Sequence, residues 1–82
     1  MYITYILYSP KIKIFYTGQT VDICRRLEEH NRGKTLFMAR GFPWKLVYSK
    51  DFDNRSDAIN FEKLIKKRGA ARFLKDIEIY IS

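Results

Sequence analysis

Tyr16-Thr17-Gly18-Gln19-Thr20-Val21-Asp22-Ile23-Cys24-Arg25-Arg26-Leu27-Glu28-Glu29-His30-Asn31-Arg32-Gly33 is the stretch on which the fold turns. Its first residues end a strand. The rest read as a helix starting near Thr20 or Val21, with Thr20 as the N-cap and Asp22 set against the positive end of the helix dipole. Gly33 supplies the stop. Ile23 and Leu27, four apart, form the apolar stripe, while Arg26 and His30, also four apart, leave a neighbouring face together. A cation and an imidazole are thus displayed one turn apart at the edge of a packed surface.

Toward the N-terminus, Tyr2 to Tyr8 is almost all aromatic or β-branched and predicts a strand, Lys13 to Thr17 predicts a second, and Ser9-Pro10 marks the turn between them. A two- or four-residue connection that pairs Tyr8 with Lys13 sets Tyr5 opposite Tyr16, on the face of Ile3, Leu7 and Ile14. A three-residue loop would send the two phenols to opposite faces. Toward the C-terminus, Lys34 to Pro43 reads as a loop and Trp44 to Ser49 as a third strand. Asn54 caps a second helix, with Asp57 standing in for the acid of a capping box, and Gly69 ends it after Arg68. Its apolar positions are Ala58, Ile59, Phe61, Leu64 and Ile65. Glu62 sits among them, a carboxylate aimed at the helix's own buried side. The tail reads two ways: Arg72-Phe73-Leu74 can begin a short helix, whereas Ile77, Ile79 and Ile81 alternate with Glu78 and Tyr80 as a strand would. The order β-β-α-β-α plus a tail predicts one domain over residues 1–82, of α+β class, with a central three-stranded antiparallel sheet flanked by helices.

With 82 residues, 46% of them hydrophobic, the chain has material for one compact core, and the lone Cys24 excludes an intramolecular disulfide and a cysteine-rich zinc site. Packing must carry the stability. No run approaches the ~18 apolar residues of a membrane span and no signal peptide is legible, so a reducing cytoplasm is the expected setting. Sixteen Lys and Arg against nine Asp and Glu leave a formal charge of +7, which favours nucleic acid, acidic proteins or anionic membranes as partners. No glycine-rich nucleotide loop, Cys/His cluster or Ser-His-Asp arrangement points to other chemistry.

A buried carboxylate is costly unless it pairs with a cation or binds a metal, so Glu62 should do one or the other. A hard ion such as Mg²⁺ often takes only one or two protein carboxylates and leaves its other positions to water and phosphate oxygens. An arginine can clamp a phosphate, and a tyrosine or histidine can take the proton of an attacking water. Each residue also has a purely structural reading: Tyr5 and Tyr16 as core aromatics, Arg26 paired with Asp22 or Glu29, His30 as a helix-end cation, and Glu62 bridged to Lys66.

Taken together, the motifs resemble the GIY-YIG nuclease superfamily from Tyr2 to about Lys67. Ile3-Thr4-Tyr5 stands for the first motif and Tyr16-Thr17-Gly18 for the second. The likeness continues through Asp22 to Lys34, Arg40 to Tyr48, Arg55-Ser56-Asp57-Ala58 and Glu62 to Lys67. It is closest to the small, stand-alone bacterial members related to the amino-terminal nuclease domain of the nucleotide-excision-repair endonuclease. Ile3 replaces the glycine of the first motif, Thr17 the isoleucine of the second, and Gln19 a lysine of some members. The resemblance implies a metal-dependent endonuclease that cleaves DNA phosphodiesters with one divalent ion, Mg²⁺ or Mn²⁺. Tyr5 and Tyr16 would be the paired tyrosines, Arg26 the phosphate-binding arginine, His30 the residue beside the nucleophile and Glu62 the metal ligand. Gly18 would close the second motif, and the general base would be Tyr5 or His30. Arg25, Arg32, Lys34, Arg40, Lys63, Lys66 and Lys67 supply a basic surface for nucleic acid, DNA before RNA. A non-catalytic nucleic-acid-binding module, or a nuclease targeted by a protein partner, is the alternative.

Overall fold

A computed structural model describes residues 1–33 and 35–80, so Lys34 and Ile81, named above, lie outside the described residues. The elements run β1 (Tyr2–Ser9), β2 (Ile14–Thr20), α1 (Ile23–Asn31), α2 (Leu36–Arg40), β3 (Lys45–Phe52), α3 (Arg55–Arg68) and α4 (Ala70–Asp76). The strands form an antiparallel sheet of order β2-β1-β3, so the α+β expectation holds. β1, the aromatic and β-branched strand, takes the centre, where both faces are covered.

The two faces of β1 feed two cores. Tyr5 and Leu7 pack with Met38, Trp44, Ile23 and Leu27 beneath α1 and α2. Ile6 packs on the other side with Ile65, Phe73 and Leu74 from α3 and α4. Thr4 turns to the same side, where its hydroxyl donates to the carbonyl of the buried Ala58 at 2.7 Å and ties α3 to the sheet. Burying a side chain such as Ile65 or Leu74 is worth about 1.5–3 kcal/mol, which no disulfide supplements here.

Four expectations need correction. The hairpin connection has four residues, Pro10 to Lys13, but it closes on Ser9 and Ile14 rather than on Tyr8 and Lys13. The Lys13 N–H donates to the Ser9 carbonyl at 2.7 Å and Lys13 takes a left-handed φ of 56°, so it belongs to the turn. Tyr5 therefore stands opposite Gly18, and Tyr16 opposite Leu7. Because side chains alternate with a period of two, this displacement keeps both tyrosines on one face as diagonal neighbours. Second, Asp22 and not Thr20 caps α1: its carboxylate accepts the Arg25 N–H at 3.0 Å, while the Thr20 hydroxyl accepts the Asp22 N–H at 3.2 Å. Third, the expected loop holds α2, capped by Thr35, whose hydroxyl accepts the Met38 N–H at 3.2 Å. Fourth, Leu64 faces solvent, because the apolar stripe of α3 runs through Ala58, Phe61 and Ile65. The tail resolves to the helical reading, α4, and Ile77 to Tyr80 form no strand. Asn54 caps α3 as expected, accepting from the Asp57 N–H at 2.9 Å, and Gly69 ends it with φ of 92°.

Candidate active site

Tyr16 and Gly18 lie on β2, an edge strand, beside Tyr5 on the central strand β1. Tyr5 is fully buried, and its ring lies across Gly18 because that position has no side chain: a Cβ there would sit 2.7 Å from Tyr5 Oη and 2.9 Å from Cζ. The ring centroids of Tyr5 and Tyr16 are 6.4 Å apart at an interplanar angle of 29°. His30, on the last turn of α1, is buried against both, its ring centroid 4.8 Å from that of Tyr16. The reach of α1 is set by Ile23 and Leu27, which dock on the sheet and leave Arg26 and His30 to turn toward the tyrosines.

The histidine's hydrogen bonds fix its tautomer. His30 Nδ1 lies 2.9 Å from the Met38 sulfur, and Nε2 lies 3.1 Å from the Tyr5 hydroxyl. A thioether only accepts, so Nδ1 carries the proton, Nε2 presents its lone pair, and the Tyr5 O–H donates to it. Burial pushes the His30 pKa down, and the nearby Arg26 charge pushes it further against the pull of Glu29. The ring is therefore neutral near pH 7 and able to accept a proton.

Burial also raises the Tyr5 pKa well above the usual phenol range, with the Tyr16 and Glu62 charges adding to it. Arg26 opposes the shift through its charge and a hydrogen bond to the phenol. Arg26 Nε is also 3.7 Å from Glu29 Oε1. Glu62 lies on α3, on the opposite side of the sheet from α1. Its side chain is mostly buried and pairs with Lys66 Nζ at 2.7 Å, the bridge that the sequence left open as its structural role.

The chemistry of the donors fits a hard divalent ion of the Mg²⁺ class and not a zinc cage. Glu62 offers one mostly buried carboxylate, and the described residues contain no group of three His, Cys, Asp or Glu that could hold a metal. Tyr16, Arg26, Glu29, His30, Thr35 and Met38 line an open pocket over this centre. Thr35 and Met38 were missed in the sequence, although Thr35 ahead of Leu36-Phe37 carried an N-cap signal. Trp44 packs in the core with Tyr5 and Met38: Asn31 accepts its backbone N–H at 2.7 Å and donates to its carbonyl at 3.3 Å, and its indole N–H donates to the Met38 carbonyl at 2.9 Å. Gly41 leaves room for the indole, since a Cβ there would collide with Trp44 Cζ2.

The basic residues do not form one patch. Arg25, Arg40, Lys63 and Lys67 are exposed on three helices. Arg32 pairs with Glu28 and Lys66 with Glu62. Lys66 also shares a pocket with Tyr16, Thr17 and Arg72, which extends the cationic surface along the edge of β2. Among the described residues, no helix is long and apolar enough to cross a membrane.

A family model described as the GIY-YIG catalytic domain matches residues 1–75. The chain is similar to UPF0213 protein YsiG of Lactococcus lactis subsp. lactis (strain IL1403), 38% identical over an 82-residue alignment covering 93% of this chain and 78% of that protein. It is 43% identical over 54 residues to UPF0213 protein SAG0778 of Streptococcus agalactiae serotype V, covering 65% of this chain and 61% of the relative. It is 42% identical over 57 residues to UPF0213 protein SpyM50708 of Streptococcus pyogenes serotype M5, covering 68% and 62%. The matches therefore span less than two thirds of the streptococcal proteins' length. No solved structure matches the chain.

Proposed function

The chain belongs to the GIY-YIG catalytic domain family, a family of nucleases, and from that premise we propose that it is an endonuclease hydrolysing DNA phosphodiester bonds at the Tyr5 centre. The observation that carries this reading is the meeting of the Tyr5 hydroxyl with His30 Nε2, with the Tyr16 ring packed against both and Arg26 lining the same pocket as Tyr16 and His30.

Arg26 clamps the non-bridging oxygens of the scissile phosphate, where a guanidinium matches phosphate geometry. The attacking water gives its proton to Tyr5 Oη as Tyr5 passes its own proton to His30 Nε2, so the phenolate disfavoured by burial never accumulates. The two candidates for the general base become one relay. The water oxygen forms the new P–O bond, the bond to the leaving oxygen breaks, and that oxygen is protonated from solvent. The Tyr16 ring packs against the imidazole and holds it in place. Glu62 would hold the divalent ion, Mg²⁺ or Mn²⁺, whose bound charge would stabilise the departing oxygen. Lys66 would then be released from Glu62 toward phosphate.

The Lys66–Glu62 pair also favours a second reading, a module that binds nucleic acid without cutting it, with Glu62 as a salt-bridge partner. Incubation with supercoiled plasmid and Mg²⁺ or Mn²⁺ separates the two. Nicking should be lost on Glu62→Gln and reduced about 10²-fold or more on Tyr5→Phe, while Lys11→Ala in the hairpin turn leaves it intact. A protein that binds DNA but never nicks it would sink the nuclease reading in favour of the second. DNA repair as the pathway, a cytoplasmic setting and a targeting partner are further proposals that rest on the family likeness.

A further inference from the structure

Tyr16 lines two pockets: the one over Arg26 and His30, and a second along the edge of β2 that Lys66, Gly69 and Arg72 close from the side of α3 and α4. The second shares Phe15 and Ala71 with a third, which holds Lys13, Lys75 and Tyr80. The two form one trough from the active-site tyrosine along α4 to the hairpin turn, and no carboxylate lines either half. Phe15, Ala71 and Leu74 give it an apolar floor. Its cations differ in how far they are engaged. Lys66 pairs with Glu62, and Asp76 holds Arg68 bidentately at 2.7 and 3.0 Å. Lys13, Arg72 and Lys75 are exposed and form no ion pair among the described residues. Arg72 and Lys75, three apart on α4, are neighbours on its surface. Asp76 and Glu78 line an adjoining pocket with these two, but Arg68 neutralises the first of them and the excess stays positive.

A polymeric substrate must leave the active site along the surface on either side of the scissile phosphate. On α1 the arginines beside the site are already answered, Arg26 by Glu29 and Arg32 by Glu28. The trough instead offers three unpaired cations around an apolar floor. That arrangement suits a backbone in which phosphates alternate with sugars, since the cations meet phosphate oxygens and the floor takes the deoxyribose faces. Resting on the nuclease reading above, we infer that the trough along α4 carries the backbone of one DNA strand away from the scissile phosphate, with Arg72 and Lys75 on adjacent phosphates and Lys13 on one further out. These contacts position the strand without reading its sequence. α4, which supplies no residue to the Tyr5 centre, is then the grip that holds the substrate in register with it.

Fluorescence anisotropy of a labelled blunt duplex, bound by the whole chain in EDTA over a range of salt concentrations, tests this without cleavage. The test variant is Arg72→Ala with Lys75→Ala; both positions are exposed and helical, where alanine is favoured, and a thermal melt at the wild-type temperature establishes the fold. Each phosphate contact contributes about 0.9 to the slope of log K against log[salt], so the pair should make the slope shallower by about 1.8 and cost at least about tenfold in affinity at roughly 0.1 M salt, equally on two duplexes of unrelated sequence. Arg72→Lys with Lys75→Arg keeps both charges and should keep the wild-type slope. Lys11→Ala with Lys45→Ala removes the same charge from the hairpin turn and the opposite sheet edge, outside the trough, and should change affinity by no more than about threefold. Equal losses for the two double-alanine variants overturn the track, because the charge then acts only as a general field. So do a test variant that binds like wild type and a loss confined to one of the two sequences. In the plasmid assay the test variant should raise KM and leave kcat within about twofold, and a fall in kcat alone overturns the track by making α4 a structural prop. Nicking by wild type with unchanged binding by the test variant defeats the track alone; the expected slope change in a protein that never nicks defeats the nuclease reading alone.

Discussion

Gly18→Ala tests whether hairpin register places the Tyr5 hydroxyl. The new Cβ would lie 2.7 Å from Tyr5 Oη, 2.9 Å from Cζ and 3.3 Å from Tyr16 Cε1. The first two contacts are far inside van der Waals range and belong to a ring that is fully buried and hydrogen-bonded to His30, so it cannot swing into solvent. Overpacking of this kind costs about 1–3 kcal/mol. Removing glycine's freedom from the unfolded chain offsets about 0.4–1 kcal/mol. The net destabilisation is therefore about 1–2 kcal/mol, or a fall in Tm of roughly 4–16 °C for a domain of this size. Tyr5→Phe deletes the nearer of the two atoms and leaves Cζ, so in that background Gly18→Ala should cost less, with a coupling of about 0.5 kcal/mol or more. Urea unfolding of wild type, both single variants and the double variant, followed by circular dichroism, measures all four terms. Wild-type stability for Gly18→Ala, or additivity within about 0.3 kcal/mol, would refute the claim that the Tyr5 ring occupies the space a side chain at position 18 would need.

Three further outcomes are expected. The folded-state pKa of His30 is depressed, chiefly by burial, below its ordinary 6.5, so the unfolded chain binds more protons and the stability is complete above about pH 6.5 and declines as pH falls below it; His30→Gln should abolish that slope, and a wild type equally stable at pH 5 and pH 7 would contradict it. Asn31→Ala removes both hydrogen bonds to the Trp44 backbone and strands its N–H, which should cost about 1–3 kcal/mol in urea unfolding and shift the tryptophan emission; unchanged stability and emission would show that Asn31 does not hold Trp44. If Arg25, Arg40, Lys63 and Lys67 meet about four phosphates, log K should fall against log[salt] with a slope near −3.6, and a slope shallower than about −2 would exclude a contact surface of that extent.

The elements with a strong local signal were legible in advance. The aromatic and β-branched run of β1, the Asn54 cap and Gly69 stop of α3, and the spacing of Arg26 and His30 on α1 each follow from short-range chemistry. α2 was not, because five residues between two glycines carry too little periodicity to outweigh their loop-like neighbours, although Thr35 marked its start.

The candidate residues Tyr5, Tyr16, Arg26, His30 and Glu62 were named from the sequence, because spacing along a strand or helix dictates which side chains share a face and the motif resemblance supplied their proposed roles. Their meeting was decided by tertiary structure. The closing pair of the hairpin put Gly18 beneath the Tyr5 ring, a two-residue displacement that alternation alone cannot detect. The packing of α2 set a thioether against His30 Nδ1, so that Nε2 faces the phenol. Contacts of this kind join residues far apart in sequence, and they exist only once burial against two separate cores has fixed where each element lies.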